Sequence, residues 1–283
     1  MPKSPSPQPN RLTLTLLCVV LVLLNACASR PVPLSPANPA SNHANLNSVL
    51  WTQTAVEYRM SASQAFRLAA SQLPAALADA SWTALPEQAA QPGFQQLPAA
   101  VIMDVDETLL DNSPFQARMI AQGLEFDAGQ WRDWVAEAQA QAIPGARAFI
   151  QYLKNNGIQP YYVTNREQQA ATLANIRSHL DPAATAEQVM VRNEQPDWGS
   201  DKTSRRLAVA AGHRVLLLLG DDYNDFIQLD YSSHQQRNTL AAQYGDYWGR
   251  QWIVLPNPQY GHWLRALPDA DRSAVLRDRI ERQ

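Results

Sequence analysis

The sequence predicts an α/β fold built on a doubly wound parallel sheet. Three short apolar runs, at residues 101–103, 161–163 and 216–219, each lead directly into polar residues, which is typical of strands buried on both faces of a sheet. Longer segments of helical period separate these runs, and this alternation favours parallel pairing. Roughly 230 residues remain after a biased N-terminal stretch, and 46% of the chain is hydrophobic, so we expect one domain with a sizeable core.

The individual elements follow in chain order from the spacing of apolar residues. An N-terminal helical extension over residues 49–80 has aromatic and alanine residues at helical spacing. After the first core strand, residues from about 113 to 142 place tryptophans among polar neighbours and are predicted to form a small helical cap. The later predicted helices cover residues 145–155, 168–179, 202–211 and 235–248, with a polar helix at the C terminus. The predicted strands end at Asp104 and Val163 or cover residues 189–191, 215–219 and 252–255.

Two carboxylates follow the first strand. Asp104 and Asp106 are separated by one apolar residue, so we expect both at the carboxyl end of the strand, where open α/β sheets place their ligands. Burying two neighbouring carboxylates is costly unless a cation or a proton relieves their repulsion. The pair therefore favours a divalent metal site, although a turn with two solvated acids would show the same short pattern.

Three later stretches carry further polar residues to the same edge of the sheet. They are Thr164 and Asn165 after the second strand, Lys202 at the start of a helix, and Asp221, Asp222 and Asp225 after the third strand. Taken singly, each has an ordinary explanation, because most lysines at helix starts and most acids after strands are solvated surface residues. Their joint occurrence in this order indicates a catalytic site.

The order strand-acid, strand-threonine, lysine, strand-acid resembles the four motifs of the haloacid-dehalogenase (HAD) superfamily of phosphotransferases. Residues 104–108, Asp-Val-Asp-Glu-Thr, are similar to the DxDET signature of the class C acid phosphatases, the bacterial lipoprotein branch of that superfamily. Residues 220–226, Gly-Asp-Asp-Tyr-Asn-Asp-Phe, are similar to its GDxxxDF signature. The matches extend from about Trp51 to Trp263. The resemblance implies a HAD-like Rossmannoid core over residues 47–283 that carries the small cap.

The resemblance also implies an activity, which is Mg²⁺-dependent hydrolysis of phosphomonoesters through an aspartyl-phosphate. Asp104 is then the nucleophile, and Asp106 protonates the leaving group and afterwards activates water. The carboxylates of Asp104 and Asp221 would hold the Mg²⁺ together with the backbone carbonyl of Asp106, since this small hard ion prefers oxygen ligands.

The resemblance assigns the remaining motif residues to the phosphate and its surroundings. The residues that would bind the phosphoryl oxygens are Thr164, the amide of Asn165, and Lys202. Lys202 would also pair with Asp104, while Asp225 would orient Lys202 or a metal-bound water. Asp222 would lie behind the metal ligands or face solvent.

Two aromatic residues are candidates for binding a nucleoside base. In the related enzymes one aromatic from the cap and another near the end of the domain sandwich a base, and Trp131 and Tyr260 stand at corresponding places. Stacking suits any base because every base has a π face. The alternative is core packing, which is the usual role of aromatics on helical segments.

The N terminus resembles a bacterial lipoprotein signal peptide over residues 1–26. Two basic residues precede an apolar run at residues 12–24, which is shorter than the roughly 20 residues that span a bilayer. Leu-Asn-Ala-Cys at residues 24–27 resembles a lipobox, which implies a lipid on Cys27. The alternative is ordinary secretory cleavage near Ala26 or Ala28, which would leave a periplasmic enzyme without an anchor.

Residues 27–46 are rich in Pro, Ser, Ala and Asn and are predicted to form a flexible membrane tether. The anchor predicts a cell-envelope location, on the outer membrane and facing either the periplasm or the surface. A net charge of −3 gives no support for a nucleic-acid polymer as partner. The expected partners are small phosphomonoesters and the membrane, and the sequence leaves a homo-oligomer open.

Three functions remain in competition at the level of sequence. The first is an acid phosphatase that acts on phosphomonoesters, and the resemblance implies that nucleoside 5′-monophosphates are among its substrates. The second is another HAD-type phosphatase or phosphotransferase that acts on sugar phosphates. The third is a surface lipoprotein that binds a ligand without turnover, against which the full set of six motif residues argues.

Overall fold

The structure is a computed structural model, and it describes residues 43–229 and 233–267, together with Val275. The predicted signal peptide, the lipidation site at Cys27, tether residues 27–42 and nearly all of the predicted polar C-terminal helix lie outside the described residues. The described part of the chain has the predicted architecture, a parallel sheet with helices on both faces.

The central sheet has five parallel strands in the order β5-β4-β1-β6-β7. A second, two-stranded antiparallel sheet pairs β2 with β3. The strands are β1 (Ala99–Met103), β2 (Leu110–Asp111), β3 (Gln141–Ala142), β4 (Gln159–Val163), β5 (Val189–Met190), β6 (Arg214–Gly220) and β7 (Trp252–Val254). Because β1 is central and the chain moves outward first to one side and then to the other, its carboxyl end lies at the topological switch point.

Helices cover both faces of the sheet, as a doubly wound fold requires. They are α1 (Leu46–Thr54), α2 (Val56–Ala78), α3 (Ser113–Gln122), α4 (Ala128–Glu137), α5 (Ala146–Asn155), α6 (Gln169–His179), α7 (Thr203–Gly212), α8 (His234–Gln243) and α9 (His262–Arg265). None of the helices in the described part of the chain is long and apolar enough to cross a membrane.

The hydrophobic core has two parts, one on each side of the sheet. Val101 and Met103 of β1 pack on the side covered by α2, α5 and α6, whereas Ile102 packs on the side covered by α7. Successive strand residues point to opposite faces, so an unbroken apolar run is needed to fill both layers. β6 is buried along its whole length for the same reason.

Two predicted helices differ from the observed ones. The helix predicted over residues 49–80 is two helices, because Ala55 takes an extended conformation with ψ 131° and separates α1 from α2. The break lets α1 pack against α3 while α2 packs against α5 and the sheet. The helix predicted over residues 235–248 ends at Gln243, since Tyr244 and Tyr247 turn inward and stack on Trp252.

The region predicted as a cap consists of α3 and α4, inserted between β2 and β3. A bidentate ion pair between Arg118 and Glu137 joins the two helices, and Arg118 also lies over the ring of Trp134. Residues 43–45, predicted to belong to the tether, contact the cap region: His43 bonds the carbonyl of Leu124 and the Asn45 side chain donates to Gln116.

Candidate active site

The predicted site residues meet at the carboxyl edge of the central sheet. Asp104 directly follows β1, Thr164 follows β4 and Asp221 follows β6. The Asp104 N–H donates to Leu219 O and the Thr164 N–H donates to Met190 O, so each residue is fixed to the neighbouring strand. Lys202 is the residue before α7 and is buried, with its side chain aimed into the same edge.

A tight turn after β1 shapes the first motif. The carbonyl of Val105 accepts the N–H groups of both Leu109 and Leu110, and the Glu107 N–H donates to Leu110 O. Glu107 has a positive φ of 55°, a conformation that costs non-glycine residues energy and is often found at functional sites. The turn returns the chain at once to β2, so residues 104–108 surround a single spot.

Lys202 joins the first motif to the last. Its Nζ donates to the Asp104 carboxylate and, at 2.7 Å, to Oδ1 of Asp225. Both contacts are buried, with Lys202 and each carboxylate only 7% exposed at the side chain. The expected pairing of Lys202 with Asp104 and the expected contact of Asp225 with Lys202 are thus both present in the geometry.

Three carboxylates form a group that could hold a metal ion. One ligand atom from each of Asp104, Asp221 and Asp225 lies within 4.8 Å of the others. The Thr108 hydroxyl is 3.2 Å from both Asp104 Oδ2 and Asp221 Oδ1, and Asn257 donates to Asp221 Oδ2 at 2.8 Å. Asp225, expected only beside the metal ligands, is therefore a further ligand candidate, and the Asp106 carboxylate is not in this group.

The electrostatics of the cluster fit a divalent cation. Burial raises the pKa of Asp104 to about 7, with Lys202 opposing the shift and Asp225 and Asp106 adding to it. Burial and then the charges of Asp104 and Asp225 raise the pKa of Asp221 well above its usual range. Burial alone would lower the pKa of Lys202, but the two carboxylates it touches raise it. Lys202 thus binds two of the three carboxylates, and a hard cation with oxygen preference would offset the remaining charge.

Gly220 explains how Asp225 comes so close to the sheet. A Cβ on Gly220 would lie 2.3 Å from Asp225 Oδ2 and 2.4 Å from its Cβ, distances that no side chain can accept. The same Oδ2 accepts the N–H of Asp222 at 3.0 Å, which closes the turn over residues 222–225. The glycine of the GDxxxDF motif therefore serves a close approach, and its φ is not positive.

Asp106 lies apart from the carboxylate cluster and pairs with an arginine. Its Oδ1 accepts the Nε–H of Arg166 at 2.8 Å and the Nδ2–H of Asn112 at 2.9 Å, and Nη2 of Arg166 forms an ion pair with the same oxygen at 2.8 Å. Its Oδ2 accepts the Thr164 hydroxyl at 3.2 Å. Arg166 follows directly after the predicted phosphate-binding pair, but the sequence analysis gives it no role.

Glu107 connects the first motif to the cap and to Tyr260. Its carboxylate accepts both the backbone N–H and the side-chain amide of Asn112, and it accepts the hydroxyl of Tyr260. Asn112 in turn accepts Nε1 of Trp134 at 2.8 Å. Burial, followed by the nearby charge of Asp106, raises the pKa of Glu107 well above its usual range.

The phosphate-binding candidates Thr164 and Asn165 are held by Arg205. This buried guanidinium donates to the Thr164 carbonyl, to Asn165 Oδ1 at 2.7 Å and to Gly199 O at 2.8 Å. Asn165 Nδ2 donates to Ser200 O at 3.0 Å, so its side chain joins two loops, and its backbone N–H is the group that suits a phosphoryl oxygen. Burial lowers the pKa of Arg205 to about 10, since it contacts neutral acceptors.

The Asp222 carboxylate binds the turn after β6 and the residue after Gly261. Its Oδ2 accepts the His262 N–H at 2.6 Å and its Oδ1 accepts the Asn224 N–H at 3.0 Å. Burial alone would raise the pKa of Asp222, but the hydrogen bond and charge of His262 hold it well below its usual range. Asp222 therefore joins the turn after β6 to the loop that carries Tyr260.

Trp131 and Tyr260 are both half-buried, and Trp131 packs partly against the main hydrophobic core. Trp131, on α4, packs edge-on against Phe115 with ring centroids 5.2 Å apart, and Arg166 lies 5.7 Å from its ring centroid. Tyr260 is tied by its hydroxyl to Glu107. Trp131 thus contacts an arginine that binds Asp106, and Tyr260 contacts Glu107 of the first motif. Both side chains are partly exposed.

Five residues that organise the site were not predicted from the sequence: Glu107, Thr108, Asn112, Arg166 and Arg205. Glu107, Thr108 and Asn112 belong to or follow the first motif, and Arg166 follows Thr164, so motif membership was the available signal. Arg205 stands three residues after Lys202, one helical turn further along the same face. For the two arginines, burial is the decisive property, and no local pattern indicates it.

A doubly wound sheet with a carboxylate-lysine cluster at its switch point defines a phosphoryl-transfer enzyme of the HAD type. A family model described as HAD superfamily, subfamily IIIB (acid phosphatase), matches residues 24–263, so this chain belongs to that family of phosphomonoesterases. Membership overturns the alternative of a surface protein that binds without turnover.

Solved structures agree with the family assignment. The chain is similar to the class C acid phosphatase from Bacillus anthracis, with 31% identity, a TM-score of 0.69, and 86% of this chain and 96% of that chain covered. A second structure of the class C acid phosphatase from that organism, with tungstate bound, matches at 29% identity and a TM-score of 0.70, covering 87% of this chain and 97% of that one.

Proposed function

We propose that this acid phosphatase is a Mg²⁺-dependent enzyme of the cell envelope that hydrolyses phosphomonoesters, nucleoside 5′-monophosphates among them, through an aspartyl-phosphate. The observation that carries the proposal is the group of Asp104, Asp221 and Asp225 at the switch point of the sheet, in which Lys202 binds Asp104 and Asp225. These groups supply a nucleophile and a place for charge neutralisation, which phosphoryl transfer requires.

The residues act in two steps. In the first, an Asp104 oxygen attacks phosphorus, the bond to the leaving oxygen breaks, and Asp106 gives its proton to that oxygen to release the alcohol. In the second, Asp106 as carboxylate takes a proton from water, the water oxygen attacks phosphorus, and the bond to Asp104 breaks to release inorganic phosphate. Lys202 and the Thr164 hydroxyl bind phosphoryl oxygens in both steps.

Mg²⁺ is the cation that best suits the cluster. It prefers oxygen ligands and keeps several waters, and a set of two or three carboxylates with no nitrogen or sulfur donor fits this preference. Asp104 and Asp221 would hold it, together with Asp225 or the backbone carbonyl of Asp106. When bound, the ion would neutralise charge on the phosphoryl group.

The preference for nucleotides rests on Trp131 and Tyr260. The Tyr260 hydroxyl donates to Glu107 of the first motif, and the Trp131 ring lies beside Arg166, which binds Asp106. A base between two rings gains stacking energy on both faces, whereas a sugar phosphate gains little. The tungstate in the Bacillus anthracis structure supports an oxyanion site in the family, since tungstate is a tetrahedral oxyanion like phosphate.

The envelope location rests on the N-terminal sequence. A lipid on Cys27 would hold the enzyme at the outer membrane, because two or more acyl chains bind almost irreversibly. Nucleotides cross membranes poorly until they lose their phosphate, so an enzyme in this place serves scavenging. We expect Cys27→Ser to leave the membrane fraction or to remain unprocessed, and membrane fractionation equal to wild type would contradict the anchor.

A phosphomonoester panel tests the catalytic proposal directly. We expect the purified wild type to hydrolyse nucleoside 5′-monophosphates and p-nitrophenyl phosphate with added Mg²⁺, and to lose activity in EDTA. Asp104→Asn should bind substrate and retain less than about a hundredth of wild-type kcat, because no other group can form the covalent intermediate. Full activity in EDTA would remove the metal from the proposal, and an active Asp104→Asn would remove the nucleophile.

A further inference from the structure

Arg166 is of a residue type that often binds phosphate, but its side chain is not accessible to a substrate. Its side chain is fully buried, with 0% of its surface accessible, and it ends on Asp106 rather than in the site. Arginines in phosphatases commonly bind substrate oxygens bidentately. An arginine with no accessible surface cannot do so, and its contribution has to pass through Asp106.

The two oxygens of Asp106 have unequal surroundings. Oδ1 accepts the Nε–H of Arg166 at 2.8 Å and the Nδ2–H of Asn112 at 2.9 Å, and Nη2 of Arg166 also lies 2.8 Å from it. The two hydrogen bonds occupy both lone pairs of Oδ1 and leave none for a proton. Among the described residues, Oδ2 accepts a hydrogen bond only from the Thr164 hydroxyl, at 3.2 Å, and the Asp106 side chain is 17% exposed. A proton carried by Asp106 therefore has one place to reside.

Arg166 itself is held by neutral groups at the base of the cap. Its Nη2 donates to Asn112 Oδ1 at 3.1 Å and its Nη1 donates to Asn175 Oδ1 at 3.3 Å. Asn112 also accepts Trp134 Nε1, and Asn175 donates to Ala140 O at 2.8 Å. The guanidinium thus has one carboxylate partner and a rigid frame, which is how a positioning group is kept within fractions of an ångström.

Thr164 completes the arrangement. Its Oγ1 accepts the Arg166 backbone N–H at 3.1 Å, so its own proton is free to point to Asp106 Oδ2 or to a phosphoryl oxygen. When the Thr164 hydroxyl donates to a phosphoryl oxygen instead, Oδ2 of Asp106 loses this hydrogen bond and is available to the leaving group.

We infer that Arg166 is a positioning residue that binds Oδ1 of Asp106 and thereby makes Oδ2 the oxygen that exchanges protons with the leaving group and with water. The inference rests on the proposed role of Asp106 as acid and base. It assigns Arg166 to proton delivery and not to substrate binding, and the two roles predict different kinetics.

Leaving-group dependence distinguishes these roles. p-Nitrophenyl phosphate releases an anion that needs no proton, whereas benzyl phosphate, with a ring of the same size, releases an alcohol that does. In Arg166→Gln we expect formation of the phosphoryl-enzyme to slow by about 10²-fold or more for benzyl phosphate and by less than about tenfold for p-nitrophenyl phosphate. Because the second step needs Asp106 as base with either substrate, p-nitrophenol should appear as a stoichiometric burst.

Further variants keep the test independent of stability. Arg166→Lys preserves a buried cation but cannot bind both Oδ1 of Asp106 and Asn112. We expect it to slow the reaction of benzyl phosphate more than that of p-nitrophenyl phosphate, by a smaller factor than Arg166→Gln does. Arg214→Gln removes another buried arginine, which binds the carbonyls of Asp79 and Leu77 at the opposite end of β6, and should leave the ratio of the two rates at its wild-type value. Adding Arg166→Gln to Asp106→Asn should cost little more, because the two residues act as a unit.

Each contrary outcome has a distinct meaning. Equal losses on both substrates, or a rise in KM without loss of kcat, would overturn the inference and make Arg166 a binding residue. If Asp106→Asn itself shows no leaving-group selectivity, the proposed role of Asp106 fails, and the inference fails with it. A wild type that hydrolyses neither substrate would instead refute the proposed substrate range.

Discussion

At the scale of single residues, Lys202 and Gly220 determine how the carboxylates of the site are arranged. Lys202 lies between Asp104 and Asp225, and Gly220 supplies the space that lets Asp225 reach it. The positions of Asp104, Thr164 and Asp221 were predictable, because residues that end neighbouring parallel strands meet at one edge of the sheet. The partners of these residues were not predictable in the same way.

Arg166 and Glu107 show why sequence reasoning missed part of the site. A long arginine side chain can end in many places, and only the packed cap fixes it on Asp106. Glu107 takes a positive φ to face Asn112 and Tyr260, a backbone state that residue type alone does not suggest for glutamate. In both cases, tertiary packing decides the role, and the local sequence does not contain it.

At the same scale, the two aromatics allow a test of nucleotide preference. Trp131→Ala or Tyr260→Ala would remove a stacking partner worth about 1–3 kcal/mol, or about 5- to 150-fold in affinity. We expect the loss in kcat/KM for a nucleoside 5′-monophosphate and a much smaller loss for p-nitrophenyl phosphate. Tyr260→Phe is the matched control, since it keeps the ring and removes only the hydroxyl bound to Glu107. Equal losses on both substrates would return the aromatics to packing.

At the scale of elements, the start of α7 acts with two loops as one unit. Arg205, one turn into the helix, donates to the carbonyls of Thr164 and Gly199 and to the side chain of Asn165. The loop after β4 and the loop before Lys202 are thereby fixed to the same guanidinium. A buried arginine with neutral acceptors is costly to maintain, so its several bonds to the phosphate-binding segment indicate that the geometry of this segment needs it.

The helices and strands themselves were largely predictable, and the exceptions have tertiary causes. The strands of the core follow from apolar runs, and the family membership and the observed sheet confirm the predicted fold class. No proline or glycine marks the break at Ala55 in the sequence. The break is a tertiary effect, since it lets α1 pack on α3 of the cap. The helix α8 ends early because three aromatic residues that follow it, Tyr244, Tyr247 and Trp248, pack against Trp252.

At the scale of the whole molecule, the grouped carboxylates of the site lower the stability of the folded protein. Asp104, Asp221 and Asp225 lie together while Lys202 binds only Asp104 and Asp225 of this group, and burial raises the pKa of both Asp104 and Asp221, which disfavours their ionised forms. A ligand that binds only the folded state stabilises it by RT ln(1 + [L]/Kd), which is about 2.7 kcal/mol at a concentration of 100 Kd. A cation that neutralises the cluster therefore affects the stability of the entire domain.

We expect saturating Mg²⁺ to raise the melting temperature by about 5–10 °C over protein in EDTA, since a domain of this size shifts by roughly 2–4 °C per kcal/mol. Asp221→Asn should melt no lower than wild type in EDTA, because the amide oxygen can still accept from Asn257, its NH2 group can donate to the Thr108 hydroxyl oxygen, and one repelling charge is lost. The same variant should lose the response to Mg²⁺. Asp246→Asn, at an exposed position, should keep it. A Mg²⁺ response that survives in Asp221→Asn would place the ion elsewhere, and a variant that is strongly destabilised in EDTA would show that the carboxylates do not repel one another in the folded protein.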